Sequence, residues 1–178
     1  MTINNEEAKR ELLLNWQNRA IRASLAHYFQ AQEYRTWHSL LTAFNLLSSI
    51  SVLFLVNNKV FINEPQTPGD IWLSVAGLAV VLSTTLQYVF KLDEKIFNHK
   101  VAGNEFTAIK RKIEIMLTNK DINDNDLKRI ETDHNHTSKN HHLVRKSIWG
   151  KISDREAEAL EESSKFLECV GRKDLENQ

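Results

Sequence analysis

Two stretches of this chain carry no charged side chain at all: SLLTAFNLLSSISVLFLV, from Ser39 to Val56, and IWLSVAGLAVVLSTTLQYVF, from Ile71 to Phe90. They constrain the fold more than any other feature, because the chain around them is polar, with 26% of its residues charged and a mean hydropathy of -0.41. Coiled at about 1.5 Å per residue, each run spans roughly 27–30 Å, the thickness of a bilayer's hydrocarbon core. A soluble amphipathic helix keeps a polar stripe for water, yet Leu46, Leu47, Ile50, Val52, Leu53, Phe54, Leu55 and Val56 encircle the helix axis. The soluble alternative is a pair of helices buried in a bundle, and a chain of 178 residues has too little interior to cover both on all sides. The pattern predicts an all-α membrane protein: a two-transmembrane helical hairpin with long cytoplasmic helical extensions and a C-terminal helix.

Residues flanking the runs fit two spans. Tyr34 and Trp37 precede the first, Phe61 and Trp72 lie near the connection, and Tyr88 and Phe90 close the second, as aromatic residues do at membrane interfaces. Arg19, Arg22 and Arg35 come before the first span and Lys91, Lys95 and Lys100 after the second, while the connection has Lys59 against Glu64 and Asp70. Positive charge therefore places both termini in the cytoplasm. The first 30 residues are too charged to hold an apolar signal segment, so no signal peptide is expected. Apolar residues contribute about −0.3 to −0.6 kcal/mol each at mid-span, which gives the first run on the order of −3 to −6 kcal/mol. Thr42, Asn45, Ser48, Ser49 and Ser51 offset part of that. A marginal span dotted with polar groups gains by packing against other helices, which predicts a homo-oligomer.

The expected order is a cytoplasmic amphipathic helix over 1–36, a first span over 37–56, a short external turn over 57–70 and a second span over 71–90. A cytoplasmic helical extension over 91–118, a polar, basic and histidine-rich linker over 119–152 and a C-terminal helix over 153–178 follow. In the first segment Leu13, Trp16, Ala20, Ala23, His27 and Ala31 recur at helical steps, and nothing from Glu6 to Val56 breaks a helix. Beyond the second span Phe97, Val101, Phe106, Ile109, Ile113 and Met116 mark another stripe, so that span is expected to run on into the extension. The two stripes pack either within a protomer or between protomers. The linker TNKDINDNDLKRIETDHNHTSKNHH reads as mostly loop, with one helical turn near Leu127. Ser153 and Glu156 have capping-box spacing at the start of the last helix, and Gly171 is its expected end. Both prolines, Pro65 and Pro68, fall in the connection. Cys169 is the single cysteine, which rules out an internal disulfide framework and reads as an ordinary thiol.

Three constellations bear on chemistry. On the spans, His38, Thr42, Asn45 and Ser49 share one helical face, and Ser74, Gly77, Thr84 and Gln87 lie roughly along another. Polar groups in a span prefer protein or water to lipid, so Thr42, Asn45, Ser49, Thr84 and Gln87 either bond helix to helix or line a pore. No charged residue sits mid-span, which disfavours a proton relay. The second constellation is cationic: Lys110, Arg111 and Lys112, with His141, His142, Arg145, Lys146 and Lys151, are candidates for binding phosphate. The neighbouring His134 and His136 add charge below pH ~6.5; solvated loop histidines and attraction to anionic lipid are the plainer readings of the group. No cysteine lies near and the histidine pairs lack zinc-module spacing, so no metal site is expected. Third, Asp121, Asn123 and Asn125 have the spacing of a calcium loop, but Asp126 stands where glycine and Thr132 where glutamate are needed. A turn leading into a short helix is preferred there. The sequence shows no nucleophile–base arrangement, phosphate-cradling glycine loop or paired catalytic carboxylates; the chain reads as a non-enzyme without a cofactor.

The segment NWQNRAIRASLAHYFQAQEYRTWHSLLTAFNLLSSISVLFL resembles the SLATT family (SMODS and SLOG-associating two-transmembrane effector domains). The likeness lies in Trp16, Arg19, Arg22, His27, Tyr28, Ala31 and Tyr34 before the first span, then in the two spans and the long helix after them. It extends from about Leu12 to Leu167. The resemblance implies a bacterial anti-phage effector of the inner membrane. Such an effector forms a pore or ion channel when a nucleotide or oligonucleotide signal arrives, and so causes abortive infection. With no fused sensor in the sequence, it implies a separately encoded partner, a nucleotidyltransferase or sensor. The competing expectation is a non-conducting membrane scaffold that recruits a partner through its cytoplasmic helices.

Overall fold

The computed structural model describes residues 3–57, 68–119, 121–141 and 143–176; side chains are described within 6–57, 71–119, 121–141, 143–153 and 155–165. Residues 58–67 of the external turn expected over 57–70, His142 and the Cys169 side chain lie outside the described residues, and the described ends of that turn, Asn57 and 68–70, are helical. Every regular element among them is a helix: α1 (Ile3–Asn57), α2 (Pro68–Phe90), α3 (Leu92–Thr118), α4 (Asp124–Asn140), α5 (Lys146–Trp149) and α6 (Ser153–Glu176). The chain forms two compact units, one of residues 1–31 with 97–178 and one of residues 32–96.

The first unit is a helical bundle. Leu13 and Ala20 of α1 pack with Phe106, Ile109, Ile113 and Leu117 of α3 and with Ile122 and Ile130 at and within α4. The two amphipathic stripes therefore meet inside one chain. Contacts fix the directions of the helices. Arg10 donates to the carbonyls of Leu117 and Asn119 at one end of α1, and Tyr28 donates to Asn104 at the other, so α1 and α3 are antiparallel. Lys112 meets Asp133, and Glu105 meets Thr137 and His141, which sets α4 antiparallel to α3. Gln17 meets Ser163 and Arg22 meets Glu156, which sets α6 antiparallel to α1. The result is an up-down-up-down four-helix arrangement, which short connections favour.

Four expectations change here. The linker is not mostly loop: α4 is a 17-residue helix. Asn123 caps it by accepting from the Asn125 amide at 3.0 Å, so the calcium-like stretch is a turn into a helix. The inward face of α4 carries Leu127, Ile130, His134 and Thr137, with His141 at the C-cap, a helical period in which imidazole and hydroxyl stand where aliphatic groups usually do. At the start of α6 the Glu156 carboxylate does not reach back to Ser153; it bonds Arg22 at 2.7 and 2.8 Å. Nor does α6 stop at Gly171, since it continues to Glu176. Of the expected α3 stripe Phe97 is exposed and Val101 half-buried, and neither joins the core, whereas His99 and Ala102 are buried.

The second unit pairs the last part of α1 with α2. α1 is unbroken over 55 residues, as the absence of breakers requires. The second span does not run straight on: at Lys91 the backbone passes through φ 45°, the one positive-φ non-glycine residue described, at a cost of about 1–2 kcal/mol. The Lys91 amide closes a turn on Tyr88 O at 3.3 Å, and helix resumes when Lys95 N donates to Lys91 O at 3.1 Å. The break leaves the Lys95 ammonium over the rings of Tyr34 and Phe90, at 5.7 and 5.9 Å. Two helices are long and apolar enough to cross a membrane; their apolar windows are 0% and 6% buried, unlike the covered core helix of a soluble protein.

Candidate functional site

Along the seam of the second unit, steps of three and four residues put His38, Thr42, Asn45 and Ser49 on one face of α1. The Asn45 side-chain amide donates to Thr84 Oγ1 at 3.0 Å, and that of Gln87 donates to Thr42 Oγ1 at 3.1 Å. The hydroxyls of Thr42, Thr84 and Ser49 donate back to the carbonyls of His38, Val80 and Asn45 at 2.8–2.9 Å, as is common for hydroxyl residues in apolar helices. His38 Nε2 lies 3.4 Å from Asp93 further along. All five pore-lining candidates thus gather on one strip. Thr42 and Thr84 remain exposed, and Asn45, Ser49 and Gln87 are half-buried. Each carboxamide has further donors and acceptors to offer beyond these bonds. Beside the strip is an apolar groove of about 700 Å³ between the two helices, lined by Phe44, Leu47, Phe54, Trp72 and Val75 among others.

In the bundle, the buried polar groups are concentrated around His27. Its Nδ1 is 2.9 Å from Nδ1 of His99, so one imidazole donates and the other accepts. Phe106 stacks on the His27 ring at 5.7 Å between centroids, and His141 meets it edge-on at 6.2 Å. Burial, then the neighbouring His99 and His141, push the His27 pKa down to about 4. His141 Nε2 lies 2.8 Å from Glu105, which also accepts from Thr137 at 3.2 Å. These bonds, that to His141 first, hold the Glu105 carboxyl below its usual range. His134 meets Phe106 edge-on at 5.9 Å, and burial followed by the nearby Arg19 lowers its pKa. The set can hold and move protons. Among the described residues no three His, Cys, Asp or Glu groups are arranged to hold a metal.

The cationic candidates do not assemble into one site. Lys110 pairs with Glu114 at 3.4 Å, Lys112 with Asp133 at 2.6 Å and His141 with Glu105. Arg111 is exposed on α3, and Arg145, Lys146 and Lys151 are exposed beyond the end of α4. Residues of the family-like helix have structural partners. Trp16 packs on the core, and Arg22 bonds Glu156. The Tyr28 ring lies 3.0 Å from where a Cβ on Gly103 would stand, a close approach only glycine permits unchanged. Tyr34 faces Lys95. Arg19 and Arg22, with Asn15 and Asn18, line a polar cleft of about 400 Å³ against Glu156 and Leu160 of α6.

Two features were missed from sequence. His99 sits on the α3 stripe with Ala102, Phe106, Ile109 and Ile113, and that register is the signal that would have found it. The other is a trio joining three helices: Gln17 Nε2 donates to Ser163 Oγ at 2.6 Å and Glu114 Oε1 at 3.2 Å, and Ser163 donates to the same carboxylate at 2.9 Å. No family model matches the chain, and comparisons with curated proteins and with solved structures likewise find no match.

Proposed function

We propose that this protein is a pore-forming effector of the SLATT kind, a homo-oligomer of two-span hairpins in the bacterial inner membrane with both termini in the cytoplasm. One observation carries the reading: on two helices whose outer surfaces are largely apolar, the hydrogen-bonding side chains of Thr42, Asn45, Ser49, Thr84 and Gln87 share one strip and none of them is fully buried. Hydrocarbon is a poor solvent for Thr42, Asn45, Thr84 and Gln87, whereas a water-filled axis between several hairpins is a good one. The apolar groove beside the strip favours the same assembly, because a helix of a neighbouring hairpin fills it better than solvent does. A nucleotide or oligonucleotide from a partner nucleotidyltransferase is the signal, and the Arg19–Arg22 cleft, with its two carboxamides, is the place for its phosphates. Binding shifts the pore only through different affinity for its closed and open states. Membrane disruption then ends infection by phage at the cost of the host cell.

Ion flux across liposomes containing the purified protein tests this. Flux appears with the signal present, and Asn45→Leu changes its conductance; vesicles that stay ion-tight under every signal tried remove the pore. The Asn45–Thr84 and Gln87–Thr42 bonds favour a second reading, a non-conducting scaffold recruiting a partner through its cytoplasmic helices, since paired amides need no water. On that reading wild type and Asn45→Leu leave vesicles equally tight.

A further inference from the structure

We infer that the turn between α4 and α6 is a membrane-surface anchor, in which Leu143 and Trp149 enter the headgroup layer of an anionic bilayer and the adjoining cations bind its phosphates. The proposal rests on the spanning reading of the second unit.

Leu143 is 95% exposed, and Trp149 is 42% exposed, although the unit buries Ile148 and Ile152 completely. This turn is not a loose excursion. Ile148 and Ile152 pack on Ala26, with Leu25, Phe29 and Val144 around them. The Arg145 amide donates to Gln30 Oε1 at 3.2 Å, and Ile148 N and Lys151 N close turns on Arg145 O and Ile148 O at 3.0 and 2.9 Å. A fixed frame therefore presents an aliphatic and an indole side chain outward, the chemistry that settles at a membrane interface.

Charge selects the surface. The chain has a formal net charge of +0, yet from His134 to Ser153 it has no Asp or Glu, while Lys139, Arg145, Lys146 and Lys151 all fall there. Lysines and arginines beside apolar side chains at a membrane surface favour acidic lipid over zwitterionic lipid.

The test uses the full chain in nanodiscs, with Cys169→Ser as background and a polarity-sensitive fluorophore on Leu143→Cys or on Leu47→Cys. The Leu47 probe reports on the span alone. With both probes, nanodiscs of pure phosphatidylcholine are compared with nanodiscs that include phosphatidylglycerol. The expected result is a Leu143 emission that shifts to the blue only with phosphatidylglycerol. The shift is lost on raising NaCl from about 0.1 M to about 1 M, where the screening length falls to about 3 Å, and is lost again in Lys146→Glu/Lys151→Glu. Equal Leu143 emission in both lipids, with the Leu47 probe shielded, overturns the anchor and leaves the spans standing. Leu143 emission that is blue in both lipids and indifferent to salt means a protein neighbour covers the turn, which also overturns it. A Leu47 probe in water refutes the spanning reading and the anchor with it.

Discussion

In the bundle, Leu13, Ala20, Ile109 and Ile113 are inside; in the second unit, Leu46, Leu47, Leu53 and Phe54 are outside, and the polar groups pair along the seam. The bundle follows the usual rule for a protein in water, with apolar surface removed from solvent. On the proposed reading the second unit follows the rule for hydrocarbon, where an aliphatic side chain loses nothing by exposure and a carboxamide needs a partner. The same residue type therefore carries opposite consequences in the two halves of one chain.

Moving a charge between the two surfaces should break or sharpen this contrast most. Leu47 and Ile115 are equally exposed, each at 65%. Leu47→Asp sits near the middle of the first span and should cost about 3–4 kcal/mol of insertion free energy, read as loss of the protein from the membrane fraction. Ile115→Asp faces water and should change bundle stability by no more than about 0.5 kcal/mol. If the two variants behave alike, the second unit is not in lipid.

Acid should act on the bundle and spare the span pair. The folded His27 pKa of about 4 lies below the usual 6.5, so the stabilisation from its neutral form is fully present above pH 6.5 and is lost as pH falls towards 4. The span of that loss is ~3 kcal/mol. Glu105, also lowered, loses its bonds to His141 and Thr137 at the acid end and adds to the effect. Near-UV circular dichroism in nanodiscs should show the bundle's midpoint temperature falling over this range, and His27→Gln, which can accept from His99 without titrating, should flatten the fall. The smallest effect is expected at the bundle surface: Arg22→Ala and Glu156→Ala should each cost about 0.2–1 kcal/mol, because one partner of the pair is exposed to water. A larger cost, measured by the same melting experiment, would mean that the cleft they line is more rigid than an ordinary surface.

Much of the architecture was legible because it rests on period and length. The two uncharged runs, the unbroken α1 and the stripe through Leu13, Ala20, His27 and Ala31 are all one-dimensional patterns. α4 was not, because His134 and Thr137 hold core positions that a reader of hydropathy assigns to water. Thr137 is buried and His134 half-buried by neighbours distant in sequence, chiefly Glu105 and Phe106. The break at Lys91 carries no glycine or proline to announce it. For the candidate sites the division is similar. Helical steps put Thr42, Asn45 and Ser49 on one face, but that Asn45 would meet Thr84 depends on how two helices pack. The basic candidates looked free because their carboxylates are remote: Asp133 for Lys112, Glu105 for His141.

The trio of Gln17, Glu114 and Ser163 bears on how α6 can come away from the bundle. A slip of α6 by one turn, about 5.4 Å, would carry the Ser163 hydroxyl out of reach of both partners, leaving Gln17 and Glu114 with their own 3.2 Å bond and removing the two shorter ones. The buried Ser163 hydroxyl would lose its acceptor, so register is fixed at this point by polar partners and not by apolar contact alone. Any partner that competes for the inner face of α6 must therefore replace the bonds of Ser163 as well as its packing.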